Sequence, residues 1–198
     1  MLEKLALCVV LPGLLWSQSS QGLVGRWRSV DVSKGGLGTT YEFRADGRVT
    51  SSLGATVEMP YRVEGDEIVL PSATKGGPEQ RSRIAWRGDN NLRLIGSGID
   101  EAYQRSGQRA DPNKLIGEWV GSRDMGGSRV EVRFFFTGDG KSLLLIPFTT
   151  LPGRYATANG NLKVDWEQRG AETGTFKIDG AVLSLSMPGK PMVKLVRY

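Results

Sequence analysis

The sequence predicts an all-β protein made of two tandem antiparallel barrels, each an up-and-down β-meander of about eight short strands. Three observations predict this fold class: apolar and polar residues alternate along short runs, turn-forming dipeptides separate those runs, and one set of motifs occurs twice in the same order. Helical spacing of apolar residues is not sustained anywhere. The chain of 198 residues has room for two small domains of about 90 residues each.

The first element along the chain is an expected signal peptide at residues 1–19. Lys4 lies near its start, an apolar run extends from Leu5 to Trp16, and small polar residues follow. The run is shorter than the ~20 apolar residues that cross a bilayer, so a transmembrane anchor is the less favoured alternative. A lipid anchor on Cys8 fits poorly, because Cys8 lies inside the run. We therefore expect a secreted protein, periplasmic or extracellular, that is not an integral membrane protein.

After this segment the sequence repeats itself. Leu23–Trp27 recurs as Leu115–Trp119 about 92 positions later, and Phe43–Gly47 is answered by Phe136–Gly140 at nearly the same offset. Because the order of the motifs is preserved, duplication explains them better than chance.

The repeated motifs divide the mature chain into two copies, 22–106 and 114–198. A linker at 107–113 contains the turn-forming residues Gly, Asp and Pro. Two barrels in tandem are the first choice, while a barrel whose strands are shared between the copies, or a sandwich, remains an alternative.

Turn signals mark the ends of the expected strands. Dipeptides of Gly, Asn and Asp accept the positive φ angles that tight hairpin turns demand. The signals are Asp46 with Gly47, Gly65 with Asp66, Gly88–Asn91, Asp139 with Gly140, Asn159–Asn161, and Asp179 with Gly180.

Each copy opens with a Gly-x-Trp motif and closes with a strand that carries an arginine. The residues are Gly25, Trp27 and Arg105 in the first copy and Gly117, Trp119 and Arg197 in the second. This arrangement resembles small bacterial secreted lipocalin-like domains of the calycin type. The resemblance implies a barrel whose first and last strands are neighbours, so that a guanidinium lies over an indole in a structural contact worth ~0.5–2 kcal/mol. We expect the pairs Trp27 with Arg105 and Trp119 with Arg197.

Composition restricts the chemistry that this chain can perform. It has no histidine, and its single cysteine, Cys8, lies in the expected leader. Metal sites with nitrogen or sulfur ligands and His- or Cys-dependent nucleophiles are therefore excluded from the mature chain. Acidic residues such as Asp46 and Asp139 occupy turn signals, where carboxylates bond the backbone. We expect no catalytic residue, no metal and no cofactor, and an enzyme is the third and least favoured function class.

The formal net charge of +5 does not by itself indicate a polyanionic partner. The arginines are scattered through alternating strands rather than clustered. This pattern favours a solvated β surface over a nucleic-acid interface.

Inward aromatic residues are the one indication of a ligand site. On the expected register they are Phe43, Tyr61, Trp86 and Tyr103 in the first copy, and Phe134, Phe136, Tyr155, Trp166 and Phe176 in the second. An eight-stranded barrel is either filled by its own side chains or holds one small ligand. Short strands favour filling. The leading hypothesis is nevertheless a non-enzymatic binding module for a small apolar or amphipathic molecule.

The second copy carries apolar residues on both strand faces, at Phe134–Phe136 and at Leu143–Phe148. Such faces need cover. Packing between the two copies is the simpler explanation, and a protein partner or an envelope surface is the alternative. The alternative function is therefore a structural or interaction domain with filled barrels. We expect the second copy to fill that role and the first copy to hold any small pocket.

Overall fold

A computed structural model describes residues 22–72, 76–96, 98–108 and 113–198, and these residues form strands and turns without a helix. The expected signal peptide, Cys8 and most of the expected linker lie outside the described residues. The strands are β1 (Gly25–Ser29), β2 (Leu37–Phe43), β3 (Arg48–Pro60), β4 (Arg62–Glu64), β5 (Glu67–Leu70), β6 (Gln80–Trp86), β7 (Asn91–Gly96), β8 (Ile99–Ser106), β9 (Gly117–Met125), β10 (Ser128–Phe136), β11 (Lys141–Ala158), β12 (Asn161–Trp166), β13 (Gly170–Asp179), β14 (Val182–Ser186) and β15 (Val193–Arg197).

The predicted turn signals lie at the junctions of consecutive strands, as expected. Between β11 and β12 both turn residues have positive φ, 51° at Asn159 and 78° at Gly160. This combination defines a two-residue turn whose twist matches that of the flanking strands. The chain therefore reverses where its Gly, Asn and Asp residues permit it.

The strands form one antiparallel sheet, which confirms the all-β antiparallel prediction. The order is β12-β13-β14-β15-β1-β2-β3-β11-β10-β9-β8-β7-β6-β5-β4, and β12 also pairs with β11. This additional pairing closes β1–β3 and β11–β15 into a partial ring of 8 strands. The remaining strands continue from β11 to β4.

The strand pairing exchanges the ends of the two sequence copies. β1 opens the first copy but pairs with β15, the last strand of the second, with Trp27 opposite Arg197. Conversely, β8 closes the first copy and pairs with β9, with Arg105 opposite Trp119. The predicted pairing of each tryptophan with the arginine of its own copy is therefore wrong. The first strand of each copy is the neighbour of the last strand of the other.

The described residues divide into two compact units, and each unit draws on both copies. Unit 1 takes residues 22–30, 40–51 and 151–198, and unit 2 takes residues from 31–39 and 52–150. The long strands β3 and β11 contribute residues to both units. The alternative in which strands are shared between the copies agrees with this division.

Each unit has its own buried core. The core of unit 1 is Leu23, Trp27, Phe43, Val49, Leu162, Val164, Trp166, Leu183, Leu185 and Leu195. The core of unit 2 is Ile68, Ile84, Leu92, Leu94, Tyr103, Leu115, Trp119, Val132, Phe134, Phe136 and Ile146. Apolar residues two apart along a strand, such as Leu162 and Val164 in β12, lie on one face, and that face is the buried one.

None of the described residues belongs to a helix long and apolar enough to cross a membrane.

Candidate functional site

In unit 1, Trp27 and Arg197 pack against each other. The guanidinium carbon of Arg197 lies 4.3 Å from the centre of the Trp27 ring, and the indole is fully buried. Trp27 Nε1 donates to the carbonyl of Leu23 at 2.8 Å. Arg197 also donates to the carbonyls of Val24 and Gly22, each at 2.7 Å. The arginine thus ties the incoming chain to the last strand.

Unit 2 repeats this arrangement with Trp119 and Arg105. The guanidinium carbon of Arg105 lies 4.2 Å from the centre of the Trp119 ring. Trp119 Nε1 donates to the carbonyl of Leu115 at 2.8 Å. Arg105 donates to the carbonyl of Ile116 at 2.8 Å and to that of Lys114. In both units the indole N–H and the terminal nitrogens of the guanidinium donate to backbone carbonyls of the protein itself, which is the pattern of a structural contact.

The glycines of the two Gly-x-Trp motifs make room for these arginines. A Cβ atom at Gly25 would overlap Nη1 of Arg197, and one at Gly117 would lie 2.8 Å from Nη1 of Arg105. Both glycines also have positive φ, 134° and 126°. A side chain at either position would therefore displace the guanidinium and strain the backbone.

The aromatic residues predicted to line a pocket are distributed over both units. Phe43, Tyr155, Trp166 and Phe176 belong to unit 1. Phe43 meets Tyr155 edge to face with ring centres 5.1 Å apart, and the Tyr155 hydroxyl donates to the carbonyl of Arg44 at 2.9 Å. Phe43 comes from the first copy and Tyr155 from the second, so the copies share this core.

In unit 2 the other predicted aromatics pack on one another. Phe134 stacks on Phe136 at 5.4 Å, while Tyr103 and Tyr61 meet these rings edge to face at 5.6 Å and 5.1 Å. The chain of four rings occupies the core of this unit. Trp86 lies at the end of its strand, 37% exposed and 5.8 Å from the Trp119 ring.

The apolar stretches of the second copy are largely buried. Phe134 and Phe136 belong to the core of unit 2, and Leu143, Leu145 and Ile146 are also buried. Most side chains of both stretches therefore contribute to packing within the protein, and a partner surface at these stretches stays a prediction. Phe148 is the large apolar side chain of these stretches that is exposed, at 49%.

A buried polar group completes the interior of unit 2. The Glu101 side chain is 9% exposed and receives Arg123 Nε at 2.5 Å and Nη2 at 3.1 Å. The Tyr103 hydroxyl donates to the same carboxylate. Burial, and then the hydrogen bond to Glu101, raise the pKa of Tyr103 well above its usual range. The three side chains satisfy one another, which makes their burial tolerable.

Unit 1 contains a small, enclosed cleft. Its volume is about 90 Å³. Its lining residues come from β2, β3, β11–β15 and the adjoining turns: Tyr41, Ser51, Leu151, Trp166, Arg169, Glu172, Leu185, Met187, Lys190, Pro191 and Val193. Of the nine aromatics predicted to bind ligand, Trp166 is the one that lines this cleft. Most of its wall belongs to the second copy. A second and more open cleft lies in unit 2 and is lined mainly by residues of the first copy, among them Leu92 and Tyr103, so the expectation that the first copy holds the pocket stays a prediction.

Two glycines lie against side chains that line the cleft. A Cβ atom at Gly153 would lie 2.9 Å from Cε3 of Trp166, and one at Gly174 would lie 2.6 Å from Sδ of Met187. Both distances are shorter than van der Waals contact, and the backbone carbonyls of Asp165 and Ser186 would lie closer still, so the close approach of the strands requires glycine at both positions. Trp166 is paired with Gly153 across the β11–β12 ladder.

The rim of the cleft is polar and charged. Lys190 Nζ lies 2.8 Å from each carboxylate oxygen of Glu172. Arg169 also lines the rim, is exposed, and forms no ion pair with any residue that the structure describes. Burial raises the pKa of Tyr41, and a hydrogen bond with Ser51 partly offsets that effect. The cleft thus has an apolar wall, two hydroxyls and a net positive rim.

Sequence reasoning missed the rim. Arg169, Glu172 and Lys190 lie on three different segments, and no spacing along the chain brings them together. Tyr41 alternates with Phe43 along β2 and was recognisable as an inward residue, but not as part of a site.

Within the described ranges, no group of three or more His, Cys, Asp and Glu side chains is placed to hold a metal ion. Comparisons of the chain with protein families, with characterised proteins and with solved structures gave no match.

Proposed function

We propose that this protein is a secreted, non-enzymatic binding module of two small lipocalin-like barrels, and that the cleft of unit 1 takes a small amphipathic molecule. The observation that carries the proposal is the combination of an apolar wall and a charged rim in one cleft. Binding sites for small molecules commonly combine an apolar lining with a few polar groups that fix orientation.

The volume of the cleft limits the size of the buried group. A cavity of ~150 Å³ holds benzene, and pockets for drug-sized ligands occupy ~300–1,000 Å³. At about 90 Å³, the cleft accepts a short or branched group of a few carbon atoms. The rest of a larger ligand would project past the rim into solvent. A long acyl chain would not fit inside.

A non-enzymatic role is supported by the groups available at the cleft. The side chains that line it include two hydroxyls, one carboxylate and two cations. The carboxylate of Glu172 is bound by Lys190, and Tyr41 is held in its neutral form by burial. Neither is placed as a general base with a free acceptor. Unit 2, whose aromatic core is packed, supports a scaffolding role for that part of the chain.

Tryptophan fluorescence tests the proposal, because Trp166 lines the cleft. Wild-type protein is titrated with three matched five-carbon probes: 3-methylbutanol, isovalerate and 3-methylbutylamine. We expect a saturable change with at least one probe, loss of that change in Trp166→Phe, and retention in Trp86→Phe. Native mass spectrometry of freshly purified protein gives a second readout, a co-purified small molecule. If no probe gives a saturable change and no small molecule co-purifies, the proposal is wrong.

A further inference from the structure

The charged rim of the unit 1 cleft carries a surplus positive charge. Lys190 and Glu172 neutralise each other, since the ammonium lies 2.8 Å from both carboxylate oxygens. Arg169 remains, exposed and without an ion-pair partner among the described residues. A guanidinium presents several N–H donors in a plane, the arrangement that a carboxylate accepts with two oxygens.

We infer that the cleft selects a small carboxylate whose short apolar group enters against Trp166 and whose charged head meets Arg169. The inference rests on the proposed function and adds to it the chemical class of the ligand. A cationic head would face Arg169 and Lys190 together, and a neutral head would gain no ion pair. A bare inorganic anion would leave the apolar wall formed by Leu151 and Leu185 empty.

The local backbone holds the rim in place. Arg169 lies in the turn that follows β12, where its backbone amide donates to the carbonyl of Trp166 at 3.3 Å. Lys190 lies in the turn before β15, where its amide donates to the carbonyl of Met187 at 3.1 Å. Each turn thus joins a rim cation to a residue of the apolar wall.

The same three probes decide the ligand class, since they share a branched five-carbon skeleton and differ in the head group and its charge. At low salt we expect isovalerate to bind about fivefold more tightly than 3-methylbutanol, a ratio that an exposed ion pair supports. The amine should bind most weakly, and added salt should reduce the preference for the carboxylate. Inorganic phosphate, which carries charge without an apolar group, should not compete.

Two rim variants should change the preference in opposite directions. Arg169→Gln should bring the ratio of isovalerate to 3-methylbutanol affinity close to one and leave the affinity for the alcohol unchanged. Glu172→Gln frees Lys190, so it should increase the preference for the carboxylate. Arg154→Gln removes another exposed arginine of unit 1 that does not line the cleft, and it should change neither affinity.

The outcomes separate the two proposals. Equal binding of isovalerate and 3-methylbutanol to the wild-type protein overturns the carboxylate inference and leaves the binding function intact. A carboxylate preference that survives in Arg169→Gln also overturns it, because the charge would then lie elsewhere. Failure of all three probes, together with the absence of a co-purified small molecule, contradicts the binding function itself.

Discussion

Units 1 and 2 use the same contacts at one end and different side chains inside. In both, an arginine of a last strand covers a tryptophan of a first strand, at 4.3 Å and 4.2 Å. In both, a tyrosine hydroxyl donates to a carbonyl at the start of a hairpin turn: Tyr155 to Arg44 and Tyr61 to Thr137. The framework of the two units is therefore equivalent.

The interiors differ at equivalent positions. Two residues before the repeated phenylalanine, unit 1 has Tyr41 where unit 2 has Phe134. Four residues before the closing arginine, unit 1 has Val193 where unit 2 has Glu101. Tyr41 and Val193 line the cleft. Phe134 and Glu101 contribute instead to the aromatic stack and to the carboxylate group bound by Arg123. The inward side chains at these positions therefore decide whether this part of a unit forms a cleft or is filled by its own core.

The largest expected effect on folding comes from separating the two sequence copies, because each unit contains strands of both. Fragments 22–108 and 113–198, expressed separately, each lack strands of both units. We expect neither to unfold cooperatively alone, and a mixture to regain the near-UV circular dichroism of the intact protein. A fragment 113–198 that is folded and monomeric by itself would show that the exchange of strands is not required.

The next largest effect is expected from the two buried indoles. Trp27→Ala and Trp119→Ala should each lower the free energy of unfolding by ~3–5 kcal/mol, because each leaves a large cavity beneath an arginine. Urea denaturation measures this loss. Trp86→Ala, at a partly exposed site, is the matched control and should cost clearly less. If only one of the two variants lost much free energy of unfolding, the two tryptophan–arginine contacts would not be equivalent.

A change confined to the interior of unit 2 should have an intermediate effect. Glu101→Gln removes the charge that binds Arg123 and accepts the Tyr103 hydroxyl. We expect a loss of ~1–3 kcal/mol in the free energy of unfolding, since a partly buried guanidinium loses its partner. Glu64→Gln, in an exposed arginine network, should leave stability unchanged. An equal loss for both variants would mean that burial of Glu101 contributes nothing.

The smallest effect is the coupling between each tryptophan and its arginine. A double-mutant cycle between Trp27 and Arg197 should give a coupling energy of ~0.5–2 kcal/mol. The same cycle between Trp27 and Arg105 should give about zero, because the Arg105 guanidinium lies over Trp119 and residues without shared partners contribute additively. Coupling between Trp27 and Arg105, with none between Trp27 and Arg197, would show that each tryptophan pairs with the arginine of its own copy.

The sequence by itself determined the all-β class, the turns and the repeated Gly-x-Trp and arginine motifs. These features are local: Asn159 and Gly160 set a turn through their own φ angles, and alternation along β12 sets its buried face. It also placed Phe43, Tyr103, Phe134 and Phe136 inward, where the structure buries them. Each such prediction depends on a few neighbouring residues.

The tertiary structure alone decided which strands are neighbours. Trp27 and Trp119 occupy nearly identical motifs, so no local signal distinguishes Arg105 from Arg197 as a partner. The choice depends on β3 and β11, which contribute residues to both units. Pro152 and Gly153, a pair typical of turns, lie within β11, and Gly153 gives Trp166 space instead. The cleft has the same origin, because Arg169, Glu172 and Lys190 meet only after the strands have paired.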